Sequence, residues 1–457
     1  MILRNKKLLM IGGGAYANHI MQYKSVAGFE VYSIGKYADR RMKDLIDKHF
    51  YIDRTDVQGI VKLVRQEGID GIFVGSSEEY ASIAIDVCEK TAARFYVNRE
   101  QWDIISNKAR FKEFARKSGF PVIPEYHLST IPTKEEIESL DYPVMIKPVD
   151  GSGGRGLYPC YSAETFMDLY NEALRWSLNK KIIVEKLVVD AEDICVCYTL
   201  QDGECVLSYT FSKEVVISEN NYVSLPIFHI YPSEFQEEYL MEADGAAKKM
   251  IKEMGLKNGT LNIQGFYKNG KFMFYEAGYR MGGAQAYIIT DYMNGANVLN
   301  YMLNYVLSGQ MSEQPLSQLE NARFKSPACN YYVELKSGTI DHIDGYEEVK
   351  TMPGVLNITQ MCYPGDEILE NNQIGRAVYR IHVVGDDAEN LAERLVNISK
   401  TLRIMSTSNE EMQIEHLEYG RCLIAIKKNM KEFATGIKEQ NLSDSNGGGI
   451  FSPHKRE

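Results

Sequence analysis

Residues 142–156, YPVMIKPVDGSGGRG, join an apolar run ending on Lys147 to a loop in which Gly151, Gly153, Gly154 and Gly156 surround Ser152 and Arg155. Glycines let successive backbone N–H groups converge on an anion without obstruction from Cβ atoms, and a lysine beside them adds a compact positive charge. The combination suits a polyphosphate. A second segment, residues 260–280, TLNIQGFYKNGKFMFYEAGYR, places two apolar stretches around the turn Lys268-Asn269-Gly270-Lys271. Asn-Gly in that setting reads as a β-hairpin. Gln264 and Glu276 stand 12 positions apart across it, an even separation expected to bring them together. Hard oxygen ligands beside a triphosphate are what Mg²⁺ needs, because this ion binds through one or two carboxylates plus the phosphates themselves.

The 457 residues allow about three domains of roughly 150 each. At 44% hydrophobic they can fill several cores. The first hundred alternate strand and helix, the pattern of a parallel sheet: strands near 6–11, 29–34 and 71–74, with a helix over 57–67. An amphipathic helix over 107–118 follows, its face marked by Phe111, Phe114 and Ala115. Strands are expected near 143–149, 181–188, 194–200 and 205–215, then a helix over 236–254, the hairpin, and a helix near 294–307. Beyond a polar connector at 309–325 come strands near 328–335, 339–343 and 378–384, and a helix striped by Leu391, Leu395, Ile398 and Leu402. The last stretch, with Ser443 to Gly449, shows no apolar period and reads as a disordered tail over 426–457.

This order of segments resembles the ATP-grasp superfamily of carboxylate–amine ligases, closest in layout to its L-amino-acid ligase and biotin carboxylase-like branch. The likeness covers residues 1 to about 425. It implies an α/β and α+β chain of three domains. These are an N-terminal parallel α/β, Rossmann-like pre-ATP-grasp domain (1–105), a central ATP-grasp domain of two α+β lobes (106–315, mobile lobe about 121–188) and a C-terminal α+β domain (316–425). The last rests on Gly345-Tyr346-Glu347-Glu348-Val349 and the turn Pro364-Gly365-Asp366.

By the same resemblance, Lys108 meets the α-phosphate. Lys147 and the loop Gly151, Ser152, Gly153, Gly154, Arg155 and Gly156 cover the phosphates. Glu185, Lys186, Leu187 and Val188 face the adenine, and Asp193 the ribose, with Glu192 as its rival. Glu276 and Gln264 hold the metal, and Arg280 acts with Lys147 in catalysis. Two positions depart from the family pattern: Gln264 replaces a carboxylate and Gly278 an asparagine. Glutamine is a neutral ligand and glycine offers no side-chain oxygen. The implied cofactors are ATP and Mg²⁺, with Mn²⁺ admissible in its place. The implied reaction joins a small carboxylate, such as an amino acid, to an amine through an acyl phosphate, releasing ADP and phosphate. The competing reading, motivated by Gln264 and Gly278, is a nucleotide-binding protein without catalysis.

Other features carry two readings. Gly12, Gly14 and Ala17 have the spacing of a dinucleotide fingerprint, but Gly35-Lys36 stand where a ribose-binding acid is expected, so a tight turn competes with an NAD site. Glu78 and Glu79 follow a strand end, where substrate binds in open α/β sheets, and equally suit a helix N-terminus. His229, among apolar neighbours, reads as packed more readily than catalytic. The eight cysteines lack a CxxC pair and read as reduced thiols, Cys195 and Cys197 sharing a strand face. A net charge of −11 without a basic block argues against nucleic acid or an anionic membrane as partner. No run resembles a signal core or membrane span, so the expected place is the cytoplasm. Small-molecule substrates are the expected partners, and the resemblance admits a homodimer.

Overall fold

The computed structural model describes residues 1–151, 156–217, 224–369 and 376–430. Short apolar runs near the N-terminus, buried on both faces, form the parallel sheet Lys48–Phe50, Glu30–Ile34, Lys7–Met10, Gly71–Phe73, in that spatial order. Helix Ala17–Ala27 makes the first crossover and Val57–Glu67 the last. The glycines after the first strand permit a close internal contact: a Cβ on Gly14 would come within 2.3 Å of Asp39 Oδ2. That favours the tight-turn reading of Gly12, Gly14 and Ala17. Helix Glu78–Cys88 leaves the fourth strand through Ser77, whose hydroxyl caps it, with Glu78 and Glu79 in the first turn.

A four-stranded antiparallel sheet comes next, ordered Glu125–Tyr126, Ile182–Lys186, Val144–Pro148, Tyr158–Cys160. Helices Lys134–Glu138 and Ala163–Trp176 accompany it, and Ile137, Val144, Ile146, Phe166 and Val184 share one separate apolar cluster. The largest sheet has eight antiparallel strands: Lys271–Tyr279, Gly259–Lys268, Glu192–Gln201, Glu204–Ile217, Ser224–Tyr231, Ala328–Glu334, Ala377–Val384 and Val355–Gln360. It runs without interruption across the connector at 309–325, so the central and C-terminal parts share one sheet. Strands Glu367–Ile368, Gly338–Asp344 and Arg403–Ser406 form a small third layer.

Several sequence expectations change. The helix expected over 236–254 is two, Gln236–Glu242 and Asp244–Glu253, broken at Ala243. Beside the break Asp244 Oδ1 accepts from the buried Tyr198 hydroxyl at 2.7 Å. The helix expected near 294 begins at Val298, after a separate helix, Tyr287–Asn294, that stops at Gly295 in the left-handed conformation (φ 74°). Strand Ser224–Tyr231 was hidden by Pro226, a residue that normally argues against a sheet interior. Pro226 pairs with Val215 where the neighbouring strand changes register. The final helix, Tyr419–Met430, overturns the expectation that the tail starts at 426; the rest of that tail, from 431, lies outside the described residues. Among the described residues no helix is long and apolar enough to cross a membrane.

The connector is anchored by an acid. Glu320 is buried to 6% exposure beneath the large sheet, with Thr199 Oγ1 at 3.4 Å from its Oε1 and no partner for its Oε2. Burial pushes its carboxyl up to about 8, against smaller opposing effects of Thr199 and Ser208. Between the ordinary carboxylate value and that pH the folded chain therefore holds a proton that the unfolded chain releases, and stability falls as pH rises. Glu320→Gln is expected to raise the melting temperature at pH 8 and to change it little near pH 4.5, checked by thermal denaturation at both pH values.

Candidate functional site

Asn107 opens helix Lys108–Ser118 by accepting the N–H groups of Ala109 and Arg110 with its side chain. Lys108, Lys112 and Arg116 then recur every four residues, which puts them on one face. That face meets the smaller antiparallel sheet. Lys112, fully buried, contacts Glu185 Oε1, and Arg116 contacts Glu125. Glu185, 2% exposed, also receives Lys147 Nζ at 2.6 Å on its second oxygen. Strand pairing sets this up: Met145 lies opposite Glu185 and Lys147 opposite Ile183. Burial pushes Lys147 well down from the usual ammonium value, helped by Lys112 and Lys108 and opposed by Glu276, with the Glu185 contact holding its charge in place.

Lys108 reaches the other way. Its Nζ donates to Gly151 O at 2.5 Å and lies 3.7 Å from Glu276 Oε2. The hairpin presents Glu276 opposite Gln264. Gln264 Nε2 donates to Glu276 Oε1 at 3.0 Å, while its Oε1 accepts from Lys213 Nζ at 2.7 Å. Lys213 also stands 3.3 Å from Asp193 Oδ1 and 3.4 Å from the Tyr275 hydroxyl. Despite burial, Asp193 and its other neighbours push the Lys213 ammonium up and keep it charged. The Tyr275 ring lies under Lys147, 5.6 Å from Nζ. Burial raises the Glu276 carboxyl, but Lys108, Lys147, Lys213 and Arg280 together hold it below the ordinary value.

Arg280 follows on the same hairpin and donates to Glu78 Oε1 at 2.9 Å, linking the large sheet to the N-terminal one. The loop after it is tied down from both sides. Tyr16 OH donates to Gly282 O (3.0 Å) and Gln285 Nε2 to Ala15 O (2.7 Å). From the shared sheet, Arg380 donates to Gly283 O (2.6 Å) and Asn330 to Ala284 O (2.8 Å).

The structure thus gathers Lys108, Lys147, Gly151, Glu185, Asp193, Gln264, Glu276 and Arg280 around one cleft. Glu192 turns instead to Lys428 Nζ at 2.6 Å, while Asp193 faces Lys213. Lys186 points to Asp141 Oδ2 at 2.6 Å, and the N–H groups of Lys186 and Leu187 are taken by the carbonyls of Pro124 and Pro143. Gly156 takes a positive φ of 75°, where a Cβ would lie 2.7 Å from Trp176 Cβ. Ser152, Gly153, Gly154 and Arg155 lie outside the described residues. Gln264 was expected as a metal ligand; as it stands, its carbonyl oxygen faces an ammonium group. His229 is buried and stacks on Phe211 at 4.3 Å, which answers to the packed reading.

Three participants escaped the sequence reading. Lys112 had a signal, its four-residue offset from Lys108. Tyr275 is the neighbour of Glu276. Lys213 had none. Among the described residues no three His, Cys, Asp or Glu side chains converge on a metal position; Glu276, its side chain 37% exposed, is a carboxylate that a hard cation could reach.

Residues 107–304 match the family model described as carbamoyl-phosphate synthase L chain, ATP binding domain. The chain is 21% identical over 340 residues to the uncharacterized protein y4rH of Sinorhizobium fredii, covering 70% of this chain and 66% of that protein, just under two thirds of its length. Among solved structures it is similar to the biotin carboxylase domain dimer of Hydrogenobacter thermophilus 2-oxoglutarate carboxylase, in complex with MgADP, ADP and bicarbonate. That likeness has a TM-score of 0.72 at 19% identity over 89% of this chain and 91% of the other. It is also similar to L-amino acid ligase from Bacillus licheniformis, with a TM-score of 0.71 at 20% identity over 88% of this chain and 99% of the other. At these identities the two structures speak for the fold.

Removing one member of a buried ionic cluster costs about 3–5 kcal/mol, because the partner charge is left uncompensated. Glu185→Gln leaves Lys112 and Lys147 facing each other without a carboxylate. Urea denaturation is expected to show a loss of that size, and Lys112→Met in the same background to recover part of it.

Proposed function

We propose that this chain, residues 107–304 of which match an ATP-binding domain model, is an ATP-dependent ligase of the ATP-grasp superfamily joining a small carboxylate, such as an amino acid, to an amine, with ADP and phosphate as products. The observation that carries this reading is the convergence of Lys108, Lys147, Glu276 and Arg280 between the glycine loop and the hairpin. In the first step a substrate carboxylate oxygen attacks the γ-phosphorus; the new O–P bond forms as the β–γ bridging bond breaks, and ADP leaves. In the second, the amine nitrogen attacks the acyl carbon, the C–O bond to phosphate breaks and the nitrogen loses a proton.

Each residue has a role in this scheme. Lys108, held between Gly151 O and Glu276, and Lys147, held by Glu185, neutralise phosphate charge from fixed positions, which avoids reorganisation in the transition state. Asp193 meets the ribose, and the edge 185–188 the adenine. Arg280 offers a planar fork to the transferring phosphoryl group or to the substrate carboxylate, in exchange for Glu78. A divalent ion on Glu276 supplies further charge neutralisation. A homodimer belongs to the same proposal, in keeping with the dimeric biotin carboxylase neighbour.

The second reading, nucleotide binding without catalysis, draws on Gln264, whose oxygen is engaged by Lys213. ADP and phosphate release from ATP and Mg²⁺, screened with single amino acids and pairs, separates the two. The ligase reading expects release that depends on one particular carboxylate, and expects Lys147→Ala to lower it by about 10²-fold or more, with circular dichroism checking that the variant is folded at the assay temperature. Calorimetric ATP binding without stimulated release would favour the second reading.

A further inference from the structure

At two positions, Gln264 and Gly278, the chain departs from the pattern its resemblance implies, having an amide for a carboxylate and a glycine for an asparagine, and a cation lies against each. At Gln264 the carbonyl oxygen accepts from Lys213 Nζ at 2.7 Å and the amide nitrogen donates to Glu276 Oε1 at 3.0 Å. An amide is suited to this, since it presents an acceptor to the ammonium and a donor to the carboxylate. At Gly278 a Cβ would meet the Arg280 guanidinium, with Cζ at 3.4 Å and both terminal nitrogens at 3.6 Å. The space a ligand side chain would fill therefore lies against Arg280. Lys213 is fixed on three sides, by Gln264, by Asp193 at 3.3 Å and by the Tyr275 hydroxyl at 3.4 Å, and its side chain keeps only 15% exposure. Glu276 remains the carboxylate of this cluster with a substantially exposed side chain, at 37%.

A divalent ion shared by Gln264 and Glu276 would have to displace Lys213 from the glutamine oxygen or sit against its ammonium. A single ion on Glu276 and the phosphates meets no such conflict. We infer that the cleft binds a nucleoside triphosphate with one divalent cation rather than two, and that Lys213 and Arg280 supply as fixed charge what a second ion would bring. The inference rests on the nucleotide reading of the preceding subsection. It assigns to Lys213 a part in anion binding, and it makes Gln264 the residue that holds the lysine in place and prevents it from collapsing onto Glu276.

The test counts metal and measures affinity without using turnover. The full chain is saturated with the β,γ-imido analogue of ATP and titrated with Mn²⁺, free Mn²⁺ being read by electron paramagnetic resonance. The expected result is one Mn²⁺ per bound nucleotide in the wild type, and still one in the near-isosteric Gln264→Glu, whose new carboxylate faces the Lys213 ammonium. In EDTA, calorimetry is expected to show analogue binding to the wild type and a loss of about tenfold in Lys213→Met, the scale of one charge-assisted hydrogen bond. Circular dichroism checks the fold of each variant. Should Lys213→Met fail to fold, the wild-type count and Gln264→Glu decide the matter. Two Mn²⁺ per nucleotide in the wild type, or unchanged metal-free affinity in a folded Lys213→Met, overturns the inference. A wild-type chain that binds no nucleotide under any of these conditions overturns the nucleotide reading itself and the inference with it.

Discussion

A carboxylate buried between two lysines fixes the geometry of the cleft. Glu185, Lys112 and Lys147 come from two strands of the smaller antiparallel sheet and from the helix that opens the central region. Charges taken out of water persist only when paired, and the pairing must be nearly complete to offset desolvation. The helix and the sheet therefore cannot shift relative to each other without exposing or orphaning a charge. Lys108, one turn before Lys112, inherits its position from that constraint, and so does the start of the glycine loop, whose Gly151 carbonyl it holds. Such a cluster adds little net stability over an apolar core of the same shape. What it provides is a set place for Lys147.

Much of this was legible in the chain because local rules agree with the fold. The strand that carries Lys147, the Asn-Gly turn and the amphipathic helix from Lys108 all lie where residue pattern puts them. The site's fine geometry was not legible, for a reason that can be named. With Asn269 and Gly270 in left-handed conformations, an unbroken two-residue hairpin pairs Lys268 with Lys271 and would set Gln264 against Tyr275. Glu276 would then point to the opposite face. A register shift between Gln264 and Gly265 moves the pairing by one residue and sets Glu276 opposite Gln264. The even separation gave the right neighbour for a reason the sequence does not contain. A second shift, between Leu207 and Tyr209, brings Lys213 opposite Asp193, where the turn at Asp202-Gly203 alone would have paired Asp193 with Ser212. Bulges re-aim side chains next to active sites, and here two of them place three of the charged groups.

The loop after Arg280 ties the cleft to the rest of the molecule. Its carbonyls at Gly282, Gly283 and Ala284 accept from Tyr16 of the N-terminal part and from Arg380, Asn330 and His382 of the large sheet's far strands. Tyr16 lies 266 positions from the carbonyl it holds, and Asn330, Arg380 and His382 lie 46, 97 and 98 positions from theirs, so no local pattern announces them. Arg280 and the glycines beside it are consequently held by all three parts at once, and a displacement of any part is felt at the guanidinium.

Exposure divides the ion pairs of the cleft into two kinds. Lys112–Glu185 and Lys147–Glu185 are buried at both ends, with side-chain exposures of 6% or less. Neither carboxylate oxygen can be given up to solvent, so these pairs persist whatever enters. Lys108–Glu276, at 3.7 Å, and Arg280–Glu78, at 2.9 Å, have acids exposed by 37% and 33%. A carboxylate with that much access to water is released at small cost, since exposed pairs contribute little. An incoming polyanion can take over the lysine and the arginine, freeing Glu276 for a cation and Glu78 for a substrate amine or for solvent. The chain is acidic overall, at −11, but in its cleft the two pairs water already reaches are the ones a polyanion would contest, while the buried pairs keep Lys147 in register.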